Sequence, residues 1–139
     1  MPARRTRSGE DLFEAQAEFR LALRQFLHFN EATTRRAGLT PQQYQALLAL
    51  YSRRRSGALR VGELAARLQV VHHSAVSLVD GLVARKLVVR ARAMTDRRVV
   101  LLHVTTRGLR LIRRVSAENR IELRRLRPEL LSFLRRLGA

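Results

Sequence analysis

Hydrophobic positions in the first third of the chain repeat with the spacing of an α-helix. No proline or glycine interrupts the stretch from Leu12 to about Arg36, and Leu12, Phe19, Leu23 and Phe26 recur at intervals of 7, 4 and 3. This spacing predicts a long amphipathic helix. Its length exceeds what a small core needs, which favours a second role such as dimerisation.

Three shorter helices are predicted next. Thr40 and Gln43 match a capping box around Pro41, and the pattern i, i+3, i+4, i+7 begins at Tyr44. After a short extended piece over 59–61, helical spacing returns over 62–68 and again over 72–84. Two short helices joined by a tight turn are typical of a helix-turn-helix.

The hydrophobic period then changes to that of strands. Segments 87–92 and 99–104 are apolar and β-branched, and they flank the basic stretch 93–98. This pattern predicts a two-stranded hairpin with a basic tip.

The last third of the chain is again helical. A helix is predicted from Thr105, with a coiled-coil-like seam, and Pro128 is expected to break it and begin a last helix. The seam comprises Leu109, Ile112, Ser116, Asn119, Leu123 and Leu126, and the inward positions of the last helix are Leu130, Leu131, Leu134 and Leu137.

Composition narrows the class of protein. A chain of 139 residues with 46% hydrophobic residues is long enough for one domain with a core. It has no cysteine, which excludes disulfides, thiolate catalysis and thiol-based sensing. Because no apolar run approaches ~18 residues and 1–10 lacks a signal-peptide core, we expect a soluble cytoplasmic protein without a membrane partner.

The net charge of +17 concerns the partner more than the fold. A polyanion suits this charge, with nucleic acid as the first candidate and an acidic membrane surface as the second. Arginine supplies 27 of the 28 basic residues, since Lys86 is the only lysine. That bias is also typical of a GC-rich genome, so some arginines are expected simply to fill solvated helix faces.

The predicted order of elements is mainly α with a small β-wing, a winged helix-turn-helix with extra terminal helices. Three segments of the chain have the spacing found in a known protein family: Leu64-Ala65-x-x-Leu68, Asp96-Arg97-Arg98 and 104–108. With them, the whole chain resembles the MarR (multiple antibiotic resistance regulator) family. The resemblance implies a single domain over 1–139. Within it, about 9–37 and 105–138 would be dimerisation helices, and about 40–104 the DNA-binding unit.

Four positions depart from the family pattern. Val71 replaces the usual serine before the recognition helix, Ser77 and Gly81 stand where many members have arginine, and Lys86 stands where glycine is usual. These departures leave the fold unaffected, but no rule about which bases are read can be transferred.

The predicted recognition helix begins with candidate base-contacting residues. Recognition helices touch base edges with their N-terminal residues, which here are His72, His73, Ser74 and Ser77. Imidazole and hydroxyl groups both donate and accept hydrogen bonds. The alternative is that the histidines merely begin a helix.

The wing carries the second set of candidates. Arginine at a hairpin tip can enter a narrow, electronegative minor groove. Asp96 can fix the direction of Arg98, which is also the role that the resemblance implies, while Arg97 and Arg90 would contact phosphate. The alternative is a solvated hairpin with a chance ion pair.

The resemblance also implies a homodimer on a pseudo-palindromic DNA duplex and a small aromatic or anionic effector. A monomer that uses its terminal stripes for its own core is the alternative. We expect no bound cofactor, no metal site and no enzymatic activity. His28 and Glu31 are only a two-ligand fragment, and no phosphate loop or nucleophile pattern occurs.

Three functions remain open from the sequence. The first is a sequence-specific transcriptional regulator, a repressor that an effector releases, acting in the cytoplasm on the nucleoid. The second is an architectural, weakly sequence-specific protein that coats DNA. The third is an adaptor that uses the winged fold to bind proteins.

Overall fold

The computed structural model describes residues 9–137, and within them the chain forms five helices and one antiparallel hairpin. The elements are α1 (Gly9–Arg36), α2 (Pro41–Ser52), α3 (Val61–Leu68), α4 (His72–Ala84), β1 (Val88–Arg92), β2 (Val100–Val104) and α5 (Thr106–Leu137). The outermost parts of the predicted domain, 1–8 and 138–139, lie outside the described residues. No helix in the described part is both long and apolar enough to cross a bilayer.

Helix boundaries follow local turn chemistry. The Thr40 hydroxyl accepts from the Gln43 N–H at 3.1 Å, and the Gln43 side chain accepts from the Thr40 N–H at 3.0 Å. The predicted capping box is therefore present. The predicted extended piece is not a strand, because α3 begins at Val61 and Leu59 only accepts one backbone hydrogen bond, from Leu102 at 2.9 Å.

Three helices end in a left-handed residue that reverses the chain. Gly38, Gln69 and Lys86 have φ of 76°, 56° and 59°. In the last case the Leu87 N–H donates to the Leu82 carbonyl at 3.0 Å, which is a Schellman motif. Lys86 thus keeps the backbone conformation that glycine adopts most readily, at a cost of roughly 1 kcal/mol.

Residues 34–116 form one compact unit. Its core is mostly aliphatic, and its fully buried large hydrophobic side chains come from α2, α3, α4, the turn after α4, the hairpin and α5: Leu47, Leu50, Leu64, Val79, Leu82, Leu87, Val88, Leu102 and Val115. In the hairpin, Val88 pairs with Val104 and Arg92 with Val100. This core sets the positions of the recognition helix and the wing.

Residues up to Thr33 and from Ala117 form a second compact unit, built from parts of α1 and α5. The Phe19 and Phe133 rings stack with centroids 4.3 Å apart, and Asn119 Nδ2 donates to Asn30 Oδ1 at 2.8 Å. Glu122 is buried but bound by the Arg125 guanidinium at 2.5 and 3.1 Å, which holds the pKa of Glu122 below its usual value.

The apolar stripes of these helices differ from the predicted ones. On α1 the small Ala15 and Ala22 are buried, whereas the predicted Leu12 and Leu23 are exposed. On α5 the buried line is shifted to Ile112, Val115, Asn119, Glu122 and Leu126, and Leu131, Leu134 and Leu137 are exposed rather than inward. The buried positions of both helices therefore differ from those that hydrophobic spacing alone predicts.

The predicted break at Pro128 is wrong, since α5 continues through it to Leu137. A proline inside a helix removes one N–H donor and crowds the carbonyl of the residue four positions earlier, here Arg124. Both Pro128 and Arg124 are exposed, so water can satisfy that carbonyl. The helix therefore loses one hydrogen bond without burying an unpaired group.

Candidate nucleic-acid interface

The recognition helix presents the candidate residues to solvent. His72, His73, Ser74 and Ser77 are all exposed, and Val76 is half-buried. The opposite side of α4 is held in the core by Ala75, Val79 and Leu82, which are all at most 1% exposed. Burial of one face thus fixes which residues the helix can offer to a partner.

The start of α4 lacks a side-chain cap. Val71 is extended and makes no capping hydrogen bond, as expected from the missing serine. The first backbone N–H groups of a helix carry partial positive charge and attract anions when no side chain occupies them. Backbone amides at His72 and His73 are therefore suited to a DNA phosphate.

The wing is stiffened at its tip by hydrogen bonds to the main chain. The Ala93 N–H donates to the Val99 carbonyl at 2.8 Å, and the Arg92 guanidinium donates to the Arg97 carbonyl at 2.7 Å. These bonds close the loop between the two strands. Met94 at the tip is 97% exposed.

Asp96 and Arg98 form a clamp within this tip. Arg98 donates its backbone N–H to Asp96 Oδ1 at 3.0 Å, its Nε to Oδ1 at 3.1 Å and its Nη2 to Oδ2 at 3.1 Å. These bonds hold the pKa of Asp96 below its usual value, and the positive charge of Arg60 adds to the effect. The Arg98 side chain remains 90% exposed, so its direction is fixed while it stays accessible.

Arg90, a predicted phosphate contact, has an intramolecular partner. Its Nη2 donates to Asp80 Oδ1 on α4, and the two side chains are 40% and 60% exposed. Arg97 is exposed at the tip, where its carbonyl accepts from the Arg92 guanidinium. The predicted residues therefore lie on two surfaces, α4 and the wing, which the Asp80–Arg90 pair connects.

Two arginines were not among the candidates from the sequence. The Arg85 guanidinium donates to the Gly38 carbonyl at 2.6 Å and to Gln43 Oε1 at 3.4 Å. Arg60 was not a candidate, yet it is close enough to Asp96 to lower its pKa. Nothing in the local sequence signals either role, since the partners are 36 to 47 positions apart.

The charge of the chain is concentrated in this unit. Residues 34–116 contain 17 Lys and Arg against three acids, a net of +14 out of the total of +17. The three acids are Glu63, Asp80 and Asp96, and each accepts a hydrogen bond: from the Arg60 N–H, from Arg90 and from Arg98. The unit thus carries a large positive field whose few acids are all engaged.

The described residues also bear on whether the chain has a metal site or a ligand groove. No group of three or more His, Cys, Asp or Glu side chains is arranged to hold a metal ion there. A groove of about 630 Å³ lies between α1 and α5, but Glu14, Glu18 and Glu129 line it against Arg136. That lining opposes an anionic ligand.

Comparison with known proteins finds a matching family model and a related transcriptional regulator. A family model described as the MarR family matches residues 37–99. An uncharacterised HTH-type transcriptional regulator of Bacillus subtilis (strain 168), YsmB, is 31% identical over 86 residues, 62% of this chain. The match spans 57% of that relative's length.

Solved structures agree with the fold. The MarR repressor of Listeria monocytogenes 4b F2365 superposes with a TM-score of 0.72 and 25% identity, covering 92% of this chain and 96% of its own. CouR of Rhodococcus jostii RHA1, bound to p-coumaroyl-CoA, gives a TM-score of 0.65 and 27% identity over 73% of this chain and 69% of its own. CouR has also been solved with a 23-mer DNA duplex. The predicted fold class, mainly α with a small β-wing, is confirmed.

Proposed function

We propose that the chain is a member of the MarR family, whose model matches residues 37–99, and that it is a sequence-specific DNA-binding transcriptional regulator rather than an enzyme. In this proposal it acts on the chromosome as a homodimeric repressor. Two recognition helices enter successive major grooves of a pseudo-palindromic operator, and the two wings reach the adjacent minor grooves.

One observation carries this proposal. An exposed stripe of hydrogen-bonding side chains begins α4, and a clamped Arg98 stands on a wing tied to that helix, in a unit of net charge +14. Hydrogen-bonding side chains in the major groove read bases, whereas arginine in the minor groove reads shape. The basic field supplies phosphate attraction to any duplex.

The dimer is supported by the apolar surface of the α1/α5 unit. It holds ten of the fifteen exposed large hydrophobic side chains among the described residues: Leu12, Phe13, Leu21, Leu23, Leu27, Ile121, Leu123, Leu131, Leu134 and Leu137. So much exposed apolar surface is typical of an interface. A second copy that covers it would give the two-fold axis which a pseudo-palindromic site requires.

The effector is proposed by analogy. CouR binds p-coumaroyl-CoA, a ligand with an aromatic ring and anionic groups. A small aromatic or anionic effector is therefore the class to test first. The acidic groove does not identify its site, and two aromatic side chains are already engaged within the chain: Tyr44 is buried in the core and Phe19 stacks on Phe133.

The test begins with selection of a binding site from a random duplex pool by the full chain. We expect a discrete footprint with two half-sites and an affinity ~10³-fold or more above that for random duplex at ~0.15 M salt. Arg98→Ala should weaken operator binding by about 1–3 kcal/mol. Arg113→Ala, which removes the same charge from α5, should cost less.

An architectural role is the second candidate. It is favoured by the net charge of +14 and by α4 itself, which contains no lysine or arginine for a bidentate contact with guanine. Equal affinity for selected and random duplex, with long continuous footprints, would establish that role instead. Release of a discrete footprint by candidate aromatic acids would support the effector.

A further inference from the structure

Asp80 is an acid on the exposed face of the recognition helix. It follows His73 and Ser77 at i, i+4 and i+7, and Val79 beside it belongs to the buried face. A carboxylate that approaches phosphates opposes DNA binding. The position of Asp80 on the face of α4 proposed to meet DNA therefore calls for an explanation other than phosphate binding.

The partner of Asp80 is Arg90, which donates its Nη2 to Asp80 Oδ1. Their side chains are 60% and 40% exposed. An ion pair with this exposure adds little to folding stability. What the pair does instead is connect α4 to β1, the strand that leads into the wing.

The same strand is tied at its other end to the wing tip. Residues two apart share a face of a strand, so Arg90 and Arg92 lie on the side of β1 that buries Val88. The Arg92 guanidinium donates to the Arg97 carbonyl at 2.7 Å, next to the clamped Arg98. Two side-chain contacts, joined by the backbone of β1, thus connect the recognition helix to the wing tip beside Arg98.

We propose that Asp80 is a positioning residue which, through Arg90, sets the orientation of the wing against α4. That orientation determines which minor-groove step Arg98 reaches when α4 is seated in the major groove. The bridge also occupies Arg90, so that this charge adds less to attraction for random duplex. The inference rests on the proposed function, because it assumes that both elements contact one DNA site.

The first measurement compares affinity for the site selected by the unmodified protein with affinity for random duplex, at ~0.15 M salt. Asp80→Asn should reduce the ratio of the two affinities by about tenfold or more, with tighter binding to random duplex and a salt slope steeper by about 1. Glu63→Gln removes an acid from the same unit but from α3, where it accepts only the Arg60 N–H at 2.9 Å. This control should leave the ratio unchanged.

An exchanged pair separates positioning from direct contact. The double variant Asp80→Arg with Arg90→Asp keeps the net charge and reverses the polarity of the bridge. If this double variant restores the ratio of the two affinities, the result supports a positioning role for Asp80. If Asp80→Asn lowers the ratio and the exchanged pair does not restore it, the residues touch DNA directly and the inference is overturned.

A second measurement needs no DNA. Because the chain has no cysteine, Met94→Cys at the wing tip and Ala84→Cys at the exposed end of α4 provide unique sites for spin labels. Asp80→Asn should shift or broaden the distance distribution between the labels, and the exchanged pair should restore it. An unchanged distribution overturns the inference. Failure to select any DNA site would instead contradict the proposed function.

Discussion

Gly108 stands where the start of α5 passes close to the backbone at Leu87. A Cβ at this position would lie 2.5 Å from the Leu87 carbonyl oxygen and 2.8 Å from Val104 Cγ1. Thr105, which precedes it, accepts from the Gly108 N–H and donates to the Lys86 carbonyl at 2.7 Å. The Thr-x-x-Gly sequence at the start of α5 is thus required for docking this helix onto the end of α4.

Gly108→Ala is expected to lower the free energy of unfolding by about 1–3 kcal/mol, because backbone atoms cannot move aside as a flexible side chain can. Chemical denaturation measures the change. Gly62→Ala is the matched control, since no atom lies within 4 Å of a Cβ there and alanine favours the helix. Equal effects of the two substitutions would contradict the close approach.

At Lys86 the reverse substitution, to glycine, is expected to stabilise the chain. Its φ of 59° belongs to the left-handed region, so Lys86→Gly should raise the free energy of unfolding by about 0.5–1 kcal/mol. Lys86→Ala also removes the charge but keeps the side-chain clash, and it should give no gain. Denaturation at one salt concentration compares the three proteins. A gain from alanine as large as that from glycine would point to charge repulsion instead.

At the scale of elements, the wing depends on a charged pair that pH can break. Arg98 lowers the pKa of Asp96 from its ordinary value of 3.8. The ion pair between Asp96 and Arg98, and the ordering of the wing that it provides, are therefore fully present above pH 3.8. Both are lost as the pH falls through the lowered pKa of Asp96. The clamp remains intact at neutral pH.

The Asp96 carboxyl can be titrated by its ¹³C chemical shift. We expect a midpoint below the ordinary value in the unmodified chain and a return toward it in Arg98→Ala. Arg97→Ala is the matched control, because the Arg97 carbonyl that accepts from Arg92 at the tip is kept when the side chain is removed. If the midpoint is unchanged in Arg98→Ala but rises in Arg97→Ala, Asp96 is paired with Arg97 instead.

At the scale of the whole molecule, the two compact units differ in chemistry. The 34–116 unit carries a net charge of +14, whereas most of the exposed large hydrophobic side chains belong to the α1/α5 unit. The proposed function assigns DNA to the first and a second copy to the second. Each assignment can be tested without disturbing the other.

Leu134→Glu places a charge in the apolar surface at a position 59% exposed in the single chain. If a second copy covers this surface, sedimentation should show the mass falling from twice the 16.0 kDa of one chain toward the single value. Val71→Glu, at a residue 70% exposed before α4, should leave the mass unchanged. A mass that is the same in all three proteins would contradict dimerisation through α5.

The order of elements could be predicted because its signals are local. The capping box at Thr40, the helical spacing of α2 to α4 and the change of period at the hairpin each depend on residues a few positions apart. The same locality explains the error at Pro128. Proline disfavours a helix locally, but it does not by itself decide whether an exposed helix continues.

The sequence by itself determined the fold class, the elements near the candidate site and the Asp96–Arg98 spacing. Only the tertiary structure decided which arginines are committed elsewhere: Arg90 to Asp80, and Arg85 to a carbonyl 47 positions away. It also decided which faces of α1 and α5 are buried, since Ala15 and Ala22 are buried on α1 while Leu12 and Leu23 are exposed. Periodicity specifies that a helix has an apolar stripe, but the partner that packs against it specifies which residues the stripe buries.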